Sequence, residues 1–282
     1  MKIYTFEAAG RARIGAERDG KLIELTGAED MLDLIRRGEA AIASARAALA
    51  PAESQAYSFD QVKLLAPIPR PGKILCSGIN YRGHKEENPN AVMPTEPFFF
   101  SKLPSAVIGP GAPIVLPPQS AQVDYEVEFA VVVGRRMKDT PEAEVMGSIF
   151  GYTILHDVSA RDVQFKDSQI TLGKNFDTFS PTGPCIVTAD ELPDPGRRGL
   201  RTFLNGEVMQ DGTTAEWIFP LPVLLSFLSR IMTLEPGDVI STGTPAGIGY
   251  FRNPQVFLKA GDTVTLEIDG IGRLENPVIA AR

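Results

Sequence analysis

The sequence predicts a mostly β protein of the α+β class. A small N-terminal α/β unit is followed by a larger unit with a sheet-on-sheet or barrel-like core. Three observations carry this expectation. The 282 residues include 26 glycines and 23 prolines. That is about 17%, against a usual roughly 12%, and too rich in turns for a helical bundle. From Lys73 onward, short apolar runs alternate with turn signals. Neither an internal repeat nor an alternation of strand-length with helix-length patterns is present, so a parallel βαβ sheet is not expected.

Met1–Phe6, Ala12–Ala16 and Leu22–Leu25 read as short strands, with a turn at Gly20. Thr26 and Glu29 have capping-box spacing ahead of a helix whose apolar stripe is Met31, Leu34 and Ile35. Gly38 breaks that helix, and an Ala-rich one runs from about Glu39 to Leu49, ended by Pro51. The Pro- and Gly-dense stretch from Leu65 to Gly72 marks the junction, dividing the chain into residues 1–68 and 69–282. Strands are expected at Ile74–Ser77, Phe98–Ser101, Glu126–Val133, Ile149–Val158, Cys185–Thr188, Leu200–Leu204, Asp238–Ser241 and Thr263–Ile268. Asp269-Gly270 signals a hairpin turn. Pro222–Met232 is the best helix of this half, with Leu225, Leu228 and Met232 on one face.

Bulk properties exclude several classes. The net charge is −7, and no basic stripe suited to nucleic acid is visible. Cys76 and Cys185 form no disulfide framework, which favours a reducing compartment. No apolar run reaches the ~18 residues of a membrane span. Residues 1–6 lack a secretory pattern. A cytoplasmic address is the expectation.

The chemistry starts with Asp124, Glu126 and Glu128, at alternate positions beside the apolar run Phe129–Val133. On a continuous strand they share one face. Clustered carboxylates beside a buried run cannot all stay ionised unaided, so either some are protonated or a cation sits among them. Asp157, at the end of another apolar stretch, read alone is a cap or salt-bridge partner. Read with Glu126 and Glu128 it completes an all-oxygen set suited to Mg²⁺, with Mn²⁺ or Ca²⁺ as alternatives. His156 is a weaker candidate ligand, since it and Asp157 face opposite sides of a strand.

His84 is the only other histidine. On a helical turn Glu87 shares its face, and a carboxylate beside imidazole suits a general base. Lys85, Glu86 and Glu87 equally suit a solvated surface turn. Lys174 lies in a Gly- and Thr-rich segment of the kind that often carries function. Ser241–Gly249 resembles a phosphate loop only superficially, lacking Gly-Lys-Ser/Thr and a following helix. Its amides and Thr244 could hold a substrate carboxylate.

Five stretches in order resemble the fumarylacetoacetate hydrolase family. They are Gly78–Tyr81 with His84 and Glu87, Asp124–Glu128, His156–Asp162, Leu172–Asp177 and Thr242–Pro245. The resemblance implies a mixed β-sandwich roll as the catalytic fold, a homodimer, and bound Mg²⁺ or Mn²⁺. By position it makes Glu126, Glu128 and Asp157 the metal ligands, with Asp124 outside that set. It makes His84 and Glu87 a dyad on a mobile segment. Arg161, Gln164, Lys174 and Thr244 match substrate-contacting positions. Residues 1–68 and Phe251–Lys259 are similar to the longer bacterial members and the fumarylacetoacetate hydrolase domain-containing protein 2 subgroup.

The implied substrate is a 2-oxo or 2,4-dioxo acid, processed through an enolate held by the metal and by Lys174. Hydrolytic C–C cleavage of an acylpyruvate, with His84 activating water, is the first expectation. Oxaloacetate tautomerisation or decarboxylation, or hydroxymuconate-type isomerisation, is the alternative. A non-catalytic metal-binding scaffold is the reading from another class.

Overall fold

The computed structural model describes residues 1–49, 55–83, 87, 92–166 and 168–281. The N-terminal strands are β1 (Lys2–Ala8), β2 (Arg11–Arg18), β3 (Lys21–Glu24), β4 (Ala56–Ser58) and β5 (Lys63–Leu65). There follow β6 (Ile74–Ser77), β7 (Phe99–Lys102), β8 (Val107–Ile108), β9 (Ile114–Leu116), β10 (Val123–Asp124), β11 (Val127–Val133) and β12 (Ile149–His156). The remainder are β13 (Ser159–Ala160), β14 (Ser180–Thr188), β15 (Gly199–Leu204), β16 (Glu207–Thr213), β17 (Val239–Ser241), β18 (Thr263–Ile268) and β19 (Gly272–Ala280). The helices used below are α1 (Met31–Ala48), α2 (Arg161–Gln164), α3 (Thr171–Lys174) and α4 (Leu221–Ile231).

A large sheet runs β4-β3-β2-β1-β14-β12-β11-β17-β6-β7, with β5 beside β1 and β8 beside β14. A second sheet runs β16-β15-β18-β19-β9, and β10 pairs with β13. Both large sheets are mixed: β17–β6 and β19–β9 are parallel, most other pairs antiparallel. This is the expected mostly β, mixed-sheet architecture. β1 joins β14 through Lys2↔Val187 and Ile3↔Ile186, so the N-terminal strands continue the large sheet.

β11 and β12 are buried along their whole length. Each has neighbours on both sides, which explains why their sequences are largely apolar on both faces, Glu128 and His156 excepted. Gly151 is required in β12, because a Cβ there would lie 2.3 Å from the Val187 carbonyl oxygen. The core between the sheets centres on Phe129, Tyr152 and Trp217, with Phe129 ring centroids 5.1 and 5.7 Å from the other two. On the opposite face of the large sheet, Met31, Leu34 and Ile35 of α1 pack with Val132, Phe150 and Ile186. α4 buries Leu221, Leu224, Leu225 and Leu228.

Several expectations are corrected. Asp124, Glu126 and Glu128 do not share one continuous strand: pairing ends with β10 at Asp124 and resumes with β11 at Val127. α1 is capped by Asp30, not Thr26: Asp30 Oδ1 accepts from the Asp33 amide at 2.8 Å. The return bond comes from Asp33 Oδ2, which accepts from the Glu29 amide at 2.9 Å. Gly38 does interrupt the helix, at φ 68°, whereas Pro51 lies outside the described residues. β16 and β19 are additions. Their inward positions include Gln210 and Asn276, polar residues that hide the apolar alternation.

Candidate active site

The end of β11 and the segment after β12 bring three carboxyl groups together. Oxygens of Glu126, Glu128 and Asp157 lie within 4.8 Å of one another, and all three residues are buried. The backbone fixes this: the Asp157 amide donates to the Glu126 carbonyl at 3.0 Å, continuing the β11–β12 pairing past both strand ends.

Buried cations surround the group. Arg161, at the start of α2, donates through Nη2 to Glu126 Oε1 and through Nε to Asp124 Oδ1, both at 2.7 Å. Lys174, at the end of α3, donates from Nζ to Glu126 Oε2 at 2.7 Å, Asp157 Oδ2 at 2.6 Å and Ser159 Oγ at 2.7 Å. The ring of Phe100 lies 5.0 Å from that ammonium. Lys102, on β7, donates to Asp157 Oδ1 at 2.6 Å. Asp124 Oδ2 also accepts from the Tyr250 amide at 2.8 Å.

The electrostatics follow from these contacts. Burial pushes Glu128 well above the usual carboxylate range, and repulsion from Asp157 and Glu126 adds to it; the Ser241 hydroxyl, donating to Glu128 Oε2, opposes it. Burial would also raise Glu126, but Arg161 and Lys174 hold it well below its ordinary value. Asp124 is raised to about 6 by burial, which Arg161 only partly offsets. Burial disfavours the charge on Lys174, yet Asp157 and Glu126 hold its pKa above the ordinary lysine value. His156 is pushed down to about 3 by burial and by Lys102, and it stands outside the carboxylate group.

The donor set fits a divalent cation. It is all hard oxygen, and the buried carboxyls Asp124, Glu126, Glu128 and Asp157 outnumber the buried cations Lys102, Arg161 and Lys174.

A cavity of about 300 Å³ opens onto this floor. Glu126, Glu128, Arg161, Gln164, Lys174 and Thr244 are its polar lining, and Phe98, Phe100, Phe165, Ile170, Ile248 and Phe251 its apolar wall. Thr244 Oγ1 accepts from Gln210 Nε2 at 2.8 Å, and Gln164 Oε1 from Arg161 Nη1 at 3.1 Å. Glu87 Oε1 accepts from the amides of Gly247 and Ile248 at 2.5 and 3.0 Å, in the loop that lines the cavity. His84 lies outside the described residues. Two larger clefts, about 390 and 430 Å³, run along α1 but lack such a convergence of buried charge.

The model of the fumarylacetoacetate (FAA) hydrolase C-terminal region matches residues 73–279. The chain belongs to the fumarylacetoacetate hydrolase family. It is 42% identical to the mitochondrial oxaloacetate tautomerase fahd2 of Xenopus laevis, over 99% of this chain and 90% of that one. Among solved structures it is similar to the fumarylacetoacetate hydrolase of psychrophilic Exiguobacterium antarcticum, with TM-score 0.88, 38% identity and full coverage of both chains. The maleylpyruvate hydrolase of Sphingobium sp. SYK-6, solved with manganese(II) and pyruvate, matches with TM-score 0.85 and 30% identity, again at full coverage of both. These family members are enzymes named for small oxo acids, and one of them holds a divalent metal.

The same relatives correct the cytoplasmic address, since the similar tautomerases are mitochondrial. The lack of a secretory pattern in residues 1–6 does not bear on that, because mitochondrial targeting relies on a different, Arg- and Ser-rich amphipathic pattern.

Sequence reasoning missed Lys102, Ser159, Ser241 and Gln210. Lys102 left one usable signal: a lone lysine two residues after the apolar run Phe98–Phe100. The serines and Gln210 left none, since short polar residues in strands and turns are common.

Proposed function

We propose that this protein interconverts the keto and enol forms of oxaloacetate or a closely similar 2-oxo diacid. The observation that carries this reading is the buried pair Arg161 and Lys174, anchored on carboxylates at the floor of a cavity with apolar walls. Fixed positive charge in a water-poor site favours a developing enolate oxygen. The near full-length likeness to an oxaloacetate tautomerase supports the choice of substrate.

Glu126, Glu128 and Asp157 would hold the divalent ion, Mg²⁺ or Mn²⁺, which when bound polarises a 2-oxo carbonyl as a Lewis acid. Lys174 places its charge beside the enolate. Arg161, fixed by Asp124, and Thr244, fixed by Gln210, orient the substrate carboxylates. Gln164 adds a buried amide beside Arg161. His84 and Glu87 supply the acid–base pair that moves the C3 proton, and the Glu87 carboxylate is anchored on the Gly247 and Ile248 amides. Phe98, Phe165 and Phe251 give the cavity an apolar wall, and proton transfer at C3 does not require water.

The test follows the ultraviolet absorbance of enol-oxaloacetate with Mg²⁺ present, alongside acetylpyruvate and fumarylpyruvate, with product identification. Faster keto–enol equilibration than Mg²⁺ alone gives, without CO₂ release or C–C cleavage, is expected. Lys174→Met should lower that rate by roughly 10²-fold or more. No acceleration with oxaloacetate would defeat the proposal. Acylpyruvate hydrolysis is the second reading, favoured by the likeness to maleylpyruvate hydrolase. It requires cleavage products, and loss of about 10²-fold or more in His84→Ala.

A further inference from the structure

Lys102 is fully buried at its side chain, and so is Asp157. Its ammonium has three donors, and all three are placed: Asp157 Oδ1 at 2.6 Å, the Lys174 carbonyl at 2.6 Å and the Val158 carbonyl at 3.3 Å. β7 fixes the main chain at this residue through its antiparallel pairing with β6, Ile74↔Lys102, and the three acceptors fix the ammonium. Lys102 therefore cannot swing away, and Asp157 Oδ1 is held by a fixed positive charge.

The remaining carboxylates are constrained as well. Asp157 Oδ2 faces the Lys174 ammonium at 2.6 Å. Both Glu126 oxygens carry charged donors at 2.7 Å, and Glu128 Oε2 accepts from the Ser241 hydroxyl. Asp157 cannot turn both oxygens toward one ion without leaving the Lys102 ammonium unpaired in the interior. Such an unpaired buried charge is strongly unfavourable.

Divalent cations differ in how they respond to this. Ca²⁺ takes about 6–8 oxygens, often including a carboxylate bound through both of its oxygens, whereas Mg²⁺ keeps a tight octahedron and several waters. We infer that Lys102 is a positioning residue that restricts Asp157 to a single-oxygen ligand and so selects a small six-coordinate cation over Ca²⁺. The inference rests on the divalent-metal part of the proposed function. It assigns a role to a residue that neither binds the ion nor touches the substrate.

The measurement is isothermal titration calorimetry of Mg²⁺ and Ca²⁺ on the wild type, Lys102→Met and Lys102→Gln, without substrate. Removing the Lys102 charge should tighten both ions alike, because they carry equal charge. Freeing Asp157 should favour Ca²⁺ alone. The ratio of Ca²⁺ to Mg²⁺ affinity is therefore the readout, and at least a tenfold rise is expected in either folded variant. A ratio within twofold of the wild type overturns the inference. A crystal structure of the wild type with Ca²⁺ decides independently of whether the variants fold. One Asp157 oxygen on the ion and the other on Lys102 is expected; both on the ion overturns the inference. Absence of binding by either ion to the wild type would instead defeat the metal reading beneath it.

Discussion

Gln210→Leu isolates what one buried amide contributes. Gln210 sits on β16 with about 1% exposure and spans four partners. Its Oε1 accepts from the Val127 amide at 3.0 Å and the Thr202 hydroxyl at 2.7 Å. Its Nε2 donates to Thr244 Oγ1 and the Pro245 carbonyl, each at 2.8 Å. It thus ties the start of β11, between Glu126 and Glu128, to the loop that carries Thr244. Leucine has similar volume, so the cavity contribution is small and the cost lies in the partners left behind. Two backbone groups, the Val127 N–H and the Pro245 C=O, lose a buried partner at about 1–3 kcal/mol each. The two hydroxyls can rotate to other acceptors and add less. The expected destabilisation is about 3–5 kcal/mol, or a fall in Tm of roughly 6–10 °C at this chain length. Urea unfolding and calorimetry measure it, and the proposed tautomerase activity should fall at temperatures where the variant is still folded, because Thr244 loses its support. A folded Gln210→Leu within about 1 kcal/mol of the wild type would show that these four bonds do not hold the loop to the strand.

Other outcomes follow from the same contacts. Glu126→Gln and Asp157→Asn should each lose the thermal stabilisation that Mg²⁺ or Mn²⁺ confers on the wild type by mass action, read by differential scanning fluorimetry. Asp30→Ala should cost about 1 kcal/mol through loss of the α1 cap, while Thr26→Ala stays within about 0.5 kcal/mol, as chemical denaturation would reveal. Cys76 and Cys185 are buried, and burial pushes the Cys185 thiol up to about 12. Neither should react with an aromatic disulfide reagent at pH 8 until denaturant is added, because the reactive thiolate is absent at that pH.

Much of the large sheet was legible because its central strands are apolar on both faces, a pattern that no solvent-exposed element tolerates. The runs at β6, β11 and β12 announce themselves that way. β16 and β19 do not: each turns a polar side chain inward, Gln210 and Asn276, and Asn276 meets the Gly109 and Ala112 carbonyls at 3.0 and 2.8 Å. The identity of those acceptors depends on a distant loop, which local periodicity cannot convey. The helix cap was misplaced for a related reason. Thr26 and Glu29 have the capping-box spacing, but the bond that caps α1 runs from the Asp33 amide to Asp30 Oδ1.

The site divides along the same line. Three carboxylates beside apolar runs imply either protonation or a compensating positive charge wherever they fold, so the cluster is legible in the sequence. Which charges compensate them is a tertiary matter. Arg161 and Lys174 stand near the recognisable motifs, but Lys102 is 55 positions from the Asp157 it grips. Counting side chains alone, the buried acids Asp124, Glu126, Glu128 and Asp157 outnumber Arg161 and Lys174 by two; Lys102 matches one of them, and burial drives Glu128 toward its neutral form. A lysine embedded after Phe98–Phe100, where a solvated side chain has no exit, is the residue that such an argument should seek. Buried lysines adjoining apolar strands therefore belong among the first candidates when a sequence presents more buried acids than its visible cations can match.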